Sequence, residues 1–259
     1  MNQEKRILVC EDSMEGIFSA VYDGWKECAG GCKVSIQTSF PVNMELFTSY
    51  REIVTDQSKA GKVMRTILMR LGSEVYEQIC LAAASADEDR GTAIYYVLHR
   101  AFGGGRCEKR VMEALADPYV SRVAKLALCV KREYHHYFGF VRFREIGGRF
   151  LLAKIQPGND ILSLMALHFS NRFPNENWVI YDEKRQKALC HEKGKECVMR
   201  KGVRIQVPGS AVGDMGEYEE LWQTFCDSIS IEARRNEKLQ KQMLALHFRS
   251  NMPEFSMKG

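Results

Sequence analysis

A short apolar run, ILVC (Ile7–Cys10), opens the patterned part of the chain, and after a polar break apolar residues recur at Ile17, Phe18, Val21, Tyr22 and Trp25. The run predicts a strand. The recurrence predicts an amphipathic helix, because side chains three and four apart fall on one helical face. Asp12 or Ser13 supplies the N-cap oxygen that such a start needs. Past the glycines of CAGGC (Cys28–Cys32), the stretch KVSIQTSF alternates, which predicts a strand beside the first. From Thr55 the period is helical: Ala60, Val63, Met64, Ile67, Leu68 and Leu71 share a face, Gly72 stops the helix and Ser73 opens another. A third helix follows DEDR (Asp87–Arg90), with an apolar stripe of Ile94, Val97, Leu98, Ala101 and Phe102, and stops at Gly103–Gly105. Asp117 and Pro118 then supply an N-cap and a favoured first residue for a helix to about His136.

Beyond Tyr137 the period drops to two. GFVRFREI and RFLLAKIQ, separated by Gly147 and Gly148, predict a hairpin with a tight primed turn. NDILSLMALHFSNRF predicts an amphipathic helix capped by Asn159 or Asp160, and WVIYDEKRQKALCHE two strands about a polar turn, with a further short strand around VRIQV. The fold class is therefore α+β: a β-α-β start and helical region over 1–137, a β-β-α-β-β module over 138–207, and over 208–259 a polar link and a basic C-terminal helix packing on the rest as one compact unit.

Composition adds little until its distribution is considered. With 259 residues, 45% of them hydrophobic, the chain can bury a substantial core, and its net charge is only +4. Between Ser121 and Lys154, however, eight Lys or Arg face two Glu, a local charge of +6. On the predicted strand Phe140, Arg142 and Arg144 share a face; on the preceding helix Arg122, Lys125, Arg132 and His136 lie near one side, flanked by His135. Guanidinium groups bind phosphates and aromatic rings stack on bases, so this pattern suits a single-stranded nucleic acid. It equally suits arginines that pair with carboxylates and protect a sheet edge. His135 and His136 fit the negative end of a helix as well as they fit acid–base chemistry. His168 and Arg172, one helical turn apart, would form a polar cleft for a phosphate or base if they converge with Tyr181, Asp182 and Arg185; a core histidine and a solvated turn are the plain alternative. In the last helix Arg234 and Arg235 form a basic surface beside Asn236 and Gln240.

Several classes of function are unsupported. GGGR lacks the P-loop and dinucleotide patterns, and no nucleophile-elbow, zinc-hydrolase or kinase signature occurs. Nine cysteines at irregular spacing read as reduced thiols; Cys28 and Cys32 are the close pair, without a third and fourth ligand at metal-site spacing, so neither metal nor cofactor is expected. With no apolar run of about 18 residues and a start too short for a secretory signal, a cytoplasmic protein with no membrane partner is expected.

The stretches ILVCEDSMEGIFSAVYDGW, DPYVSRVAKLALCVKREYHHYFGFVRFREI, LLAKIQPGNDILSLMALHFSNRFPNENWVIYDEKRQKAL and ARRNEKLQKQM together make the chain resemble an uncharacterised bacterial family labelled "probable DNA metabolism protein". The resemblance implies a role in DNA metabolism or repair beside a radical-SAM protein, and a similar domain is fused elsewhere to uracil-DNA-glycosylase-like proteins. It carries over no catalytic residue. The chain departs from what the resemblance leads one to expect at Asn159, near which many relatives are expected to have a histidine, and at Ala166-Leu167, where a proline is expected to be common before the position of His168. Three expectations follow: a DNA-binding accessory protein for single-stranded or damaged DNA, a DNA-processing enzyme using His135, His136 or His168 with Tyr181 and Asp182, or an adaptor whose basic surface meets an acidic protein.

Overall fold

The structure, a computed structural model, describes residues 5–28, 32–41, 43–103, 109–148, 150–205, 244, 246–249 and 252. The predicted C-terminal helix, with Arg234 and Arg235, lies outside the described residues. The chain divides into two units, Met1–Arg132 and Glu133–Gly259.

In the first unit β1 (Lys5–Cys10) lies between β2 (Lys33–Gln37) and β3 (Thr48–Ile53), parallel to both. Helix α1 (Met14–Cys28) links β1 to β2, and Ser13, not Asp12, caps it: the Ser13 hydroxyl accepts from the Gly16 N–H at 3.0 Å. Strand β3 escaped the sequence reading because TSYREI has only two apolar or aromatic positions. Helices α2 (Gln57–Leu71) and α3 (Ser73–Ala83) meet at Gly72, whose φ of 97° suits glycine. Asp56 caps α2, accepting from the Ser58 and Lys59 N–H groups at 2.8 and 3.2 Å. Helix α4 (Arg90–Gly103) completes a core in which Leu8, Ile17, Phe18, Ile36, Ile79 and Ile94 have no exposed surface.

Helix α4 also closes the sheet edge at β2. The Thr92 hydroxyl accepts from the Ile36 N–H at 2.9 Å and donates to the Ile36 carbonyl at 3.0 Å, which satisfies an edge that would otherwise be bare. Gly91 permits this approach, since a Cβ there would lie 2.7 Å from Ile36 Cγ2 and 3.0 Å from its carbonyl oxygen. Arg90 beside it is buried, donating to the carbonyls of Ala83 and Asp87 and pairing with Asp12.

Helix α5 (Pro118–Phe140) starts in the first unit, capped by Asp117, which accepts from the Tyr119 and Val120 N–H groups, and its last turns belong to the second. There β4 (Arg144–Ile146), β5 (Phe150–Ile155), β6 (Trp178–Asp182), β7 (Lys187–His191) and β8 (Val198–Lys201) form one sheet in that order. Only β5 and β6 pair in parallel, joined by helix α6 (Leu162–Arg172). Gly147 and Gly148 take left-handed φ values of 59° and 64°, as the hairpin turn demands. On one face Phe169 of α6 meets Trp178 and Phe143; on the other Leu152, Tyr181 and Ala188 pack with Ile146, Phe150 and Val179.

Three local expectations are corrected here. The aromatic–arginine strand does not form: the helix runs on to Phe140, 141–143 is irregular, and only Arg144 begins a strand, so Phe140, Arg142 and Arg144 share no strand face. Packing decides this, because the helix buries Tyr137 and places Phe138 on His168 and Phe140 against Phe248. Helix α6 has no side-chain cap, since its N-cap position falls on Ile161 and not on Asn159 or Asp160. The last strand forms at β8 rather than at VRIQV, of which 203–205 is not strand. Among the described residues no helix is long and apolar enough to cross a membrane.

Two glycine substitutions test the packing. Gly91→Ala is expected to cost about 1–3 kcal/mol by overpacking. Gly61→Ala, in mid-α2 with nothing within 4 Å of the added carbon, is expected to gain about 0.5–1 kcal/mol. Urea unfolding of the two variants should shift in opposite directions.

Candidate functional site

In sheets with parallel strands ligands favour the crevice beyond the strands' carboxyl ends, which here is the end of β5 and β6. The loop 156–161 leaves β5 there, and the turn 183–186 leaves β6. Asp182, the last residue of β6, has no exposed surface. Its Oδ1 accepts from the Lys184 and Arg185 N–H groups at 3.0 and 3.1 Å, and its Oδ2 pairs with the Arg185 guanidinium at 3.2 Å. Arg185 also donates to the carbonyls of Pro157, at 3.0 Å, and Gly158. From α5 the Glu133 carboxylate takes the Gly158 N–H at 2.6 Å, the Asn159 N–H at 3.0 Å and the Asn159 side-chain amide at 2.6 Å. Asp160 pairs with Lys187, and Glu183 accepts from Gln156 at 2.8 Å. The charges at this end thus fix the backbone of the PGND loop.

Only Asp182 and Arg185 of the predicted cleft come together. Tyr181 points to the other face of the sheet, as strand alternation requires, and donates to the Val203 carbonyl at 2.9 Å. His168 and Arg172 lie about 9 and 15 Å along α6 from Leu162, away from the loop. The His168 ring stacks on Phe138, with centroids 3.9 Å apart and planes within 10°, and its Nε2 is buried without a hydrogen-bond partner. Burial, followed by the charges of Arg172 and His135, holds its pKa below the usual histidine range. The Arg172 guanidinium lies 5.6 Å from the Phe173 ring centre. His135 stacks on Tyr134 at 4.6 Å, and His136 meets Phe140 and Phe248 edge-on; both histidines are solvent-exposed. Glu133 went unread in the sequence, although it is the sole carboxylate between Ser121 and Arg144 and that isolation was a usable signal.

The predicted cations fall into different roles. In the first unit Arg122 pairs with Asp87, and Lys131 lies 3.8 Å from Glu77. Lys125 and Arg132 are exposed and have no carboxylate partner among the described residues. In the second unit Arg142 donates to the Gly139 carbonyl at 2.8 Å, closing the C-terminal end of α5, while Arg144 is exposed on β4. Cys32 is a free thiol, and the side chain of Cys28 lies outside the described residues. Among the described residues no group of three or more His, Cys, Asp or Glu could hold a metal ion.

Removal of the guanidinium in Arg185→Ala strands a buried carboxylate and is expected to cost about 3–5 kcal/mol, read as a lower urea midpoint. His168 is expected to make the fold sensitive to acid. Its folded pKa lies below its ordinary value of 6.5, so the stability it contributes is complete above that value and declines as pH falls through the window beneath it. His168→Phe, which keeps the stack on Phe138, should flatten the fall in unfolding free energy between pH 7 and pH 5; an unaltered slope would assign that fall to other groups.

Residues 88–254, more than half of the chain, match the model of DUF4130, a domain of unknown function. No curated protein and no solved structure matches the chain. The matched residues include α4, α5, the pinned PGND loop and the whole five-stranded sheet, and on that extent the chain belongs to the DUF4130 family.

Proposed function

We propose that this chain binds nucleic acid through exposed basic side chains of its 121–154 segment, chiefly Lys125, Arg132 and Arg144, and that it serves in the cytoplasm as an accessory protein of DNA metabolism or repair beside a radical-SAM partner. The observation that carries the reading is the exposure of Lys125 and Arg132 without carboxylate partners among the described residues, in a segment of net charge +6. Cations on a solvated surface gain little from isolated ion pairs, whereas phosphates arrayed along a strand engage several at once and release their counterions. The resemblance to DNA-metabolism proteins supplies the biological setting and the partner.

Binding is favoured over catalysis by the fate of the acid–base candidates. Asp182 is consumed by Arg185 and the turn it caps, Tyr181 serves the opposite face, and His168 is stacked under Phe138. No two of these three meet at one reacting atom. The structure also changes which arginine should be tested, since Arg142 closes a helix end and its loss would perturb the fold.

Fluorescence anisotropy with labelled single-stranded, duplex and uracil-containing DNA, across a salt series, tests the reading. The wild type should bind with steep salt dependence. The Lys125→Ala/Arg132→Ala/Arg144→Ala variant should bind a single strand more weakly, with a log K against log salt slope shallower by about 2, from three phosphate contacts at about 0.7 each. An unchanged slope and affinity, or no binding to any DNA at low salt, would refute the proposal and leave the basic surface for an acidic protein partner.

A further inference from the structure

The first unit holds a cavity of about 500 Å³ between α1, α2 and α4, in a size range that accommodates small-molecule ligands. Its floor is apolar, with Val21, Ile67 and Leu98 buried beneath it. Tyr22, Trp25 and Phe102 supply aromatic walls, and the Trp25 and Phe102 rings meet edge-on with centroids 6.2 Å apart. Trp25 is 37% exposed, a large apolar surface left open within this hollow.

Cations crowd the same place. The ammonium groups of Lys26, Lys59 and Lys62 lie 5.4, 6.0 and 5.8 Å from the centre of the Tyr22 ring, and the Arg70 guanidinium lies 5.6 Å from that of Phe102. Lys59 is neutralised by Asp23, at 2.8 and 2.9 Å. Lys26 and Lys62, which come from different helices and line the cavity, have no carboxylate partner among the described residues. The ring face attracts each ammonium group, and with Lys59 paired to Asp23 the two remaining charges, of Lys26 and Lys62, repel one another and raise the local potential for an anion. An apolar floor, aromatic walls and the ammonium groups of Lys26 and Lys62 at the rim suit a planar ring that carries a phosphate.

We infer that this cavity binds a nucleotide unit, with its base against Trp25 and Phe102 and its phosphate between Lys26 and Lys62. The site shares no residue with the basic 121–154 surface. Base stacking on aromatic side chains tolerates any base, and lysine grips phosphate as a point charge, so the chemistry is that of a nucleotide of either origin: a free mononucleotide or one unit of a single strand.

The test follows tryptophan emission and heat of binding while the full chain is titrated with dAMP, with inorganic phosphate and with a short oligothymidylate. The wild type should bind dAMP with a change in emission that Trp25→Phe abolishes. Lys26→Ala/Lys62→Ala should weaken dAMP by about tenfold or more, since each charge-assisted contact is worth roughly that factor. Both lysines are exposed, so unfolding midpoints should stay unchanged and separate lost binding from lost fold. Loss of both dAMP and oligothymidylate binding in the double variant identifies a pocket that takes either source; loss of dAMP alone identifies a site for the free nucleotide; loss of the oligonucleotide alone identifies a strand site. Equal affinities of wild type and double variant for both ligands, or binding of neither by the wild type, overturns the inference. The Lys125→Ala/Arg132→Ala/Arg144→Ala variant should still bind dAMP as the wild type does, so failure of the basic surface and failure of this cavity are told apart.

Discussion

A carboxylate with no exposed surface governs the C-terminal unit. Asp182 ends the central parallel strand, and a charge withdrawn from water there is tolerable only when every oxygen is paired. Arg185 and two backbone N–H groups meet that demand, and the guanidinium, once fixed, reaches over to hold the Pro157 and Gly158 carbonyls. Glu133 then takes the N–H groups of the same loop from the helix side. One buried charge thereby fixes the course of the chain between β5 and α6.

The N-terminal unit uses charge in two ways. Arg90, almost wholly buried, is spent on the carbonyls of Ala83 and Asp87 and on Asp12, and so ties the start of α4 to the turn before it and to the start of α1. Lys26 and Lys62 carry their charge to the rim of an aromatic hollow, and Lys125 and Arg132 carry theirs into solvent. Where burial makes pairing obligatory, the charges are structural; where solvent makes it optional, they remain available to an anion. The functional reading rests on that division.

Much of the architecture was legible in the sequence because it is written in apolar spacing and in glycines. Gly72 separates two helices where its left-handed φ requires, Asp117 and Pro118 begin α5, and Gly147 and Gly148 turn the hairpin. Strand β3 was not legible, since TSYREI pairs through its backbone with β1 and has little apolar pattern of its own. From Phe138 to Phe143 the sequence predicts a strand where the helix runs on to Phe140, because these aromatics satisfy either period; contacts with His168 and Phe248, distant in sequence, select the helix. Of the candidate site, the sequence names Asp182 and Arg185 only within a wider conditional cleft or a solvated turn, and the burial of Asp182 that pairs them is not written in their spacing; Glu133 and the PGND loop meet only across 25 and 26 residues. The cavity at Trp25 was hidden for a related reason: its lysines and aromatics come from three helices that no local pattern joins.

The central claim is that the exposed cations of the 121–154 segment lie against nucleic acid. Photocross-linking of the full chain to a single strand containing iodouracil, followed by mass spectrometry of the cross-linked peptides, tests that claim most directly. The account predicts adducts within 121–146 that disappear as salt is raised. A strand that binds and cross-links while leaving this segment unmodified would contradict it.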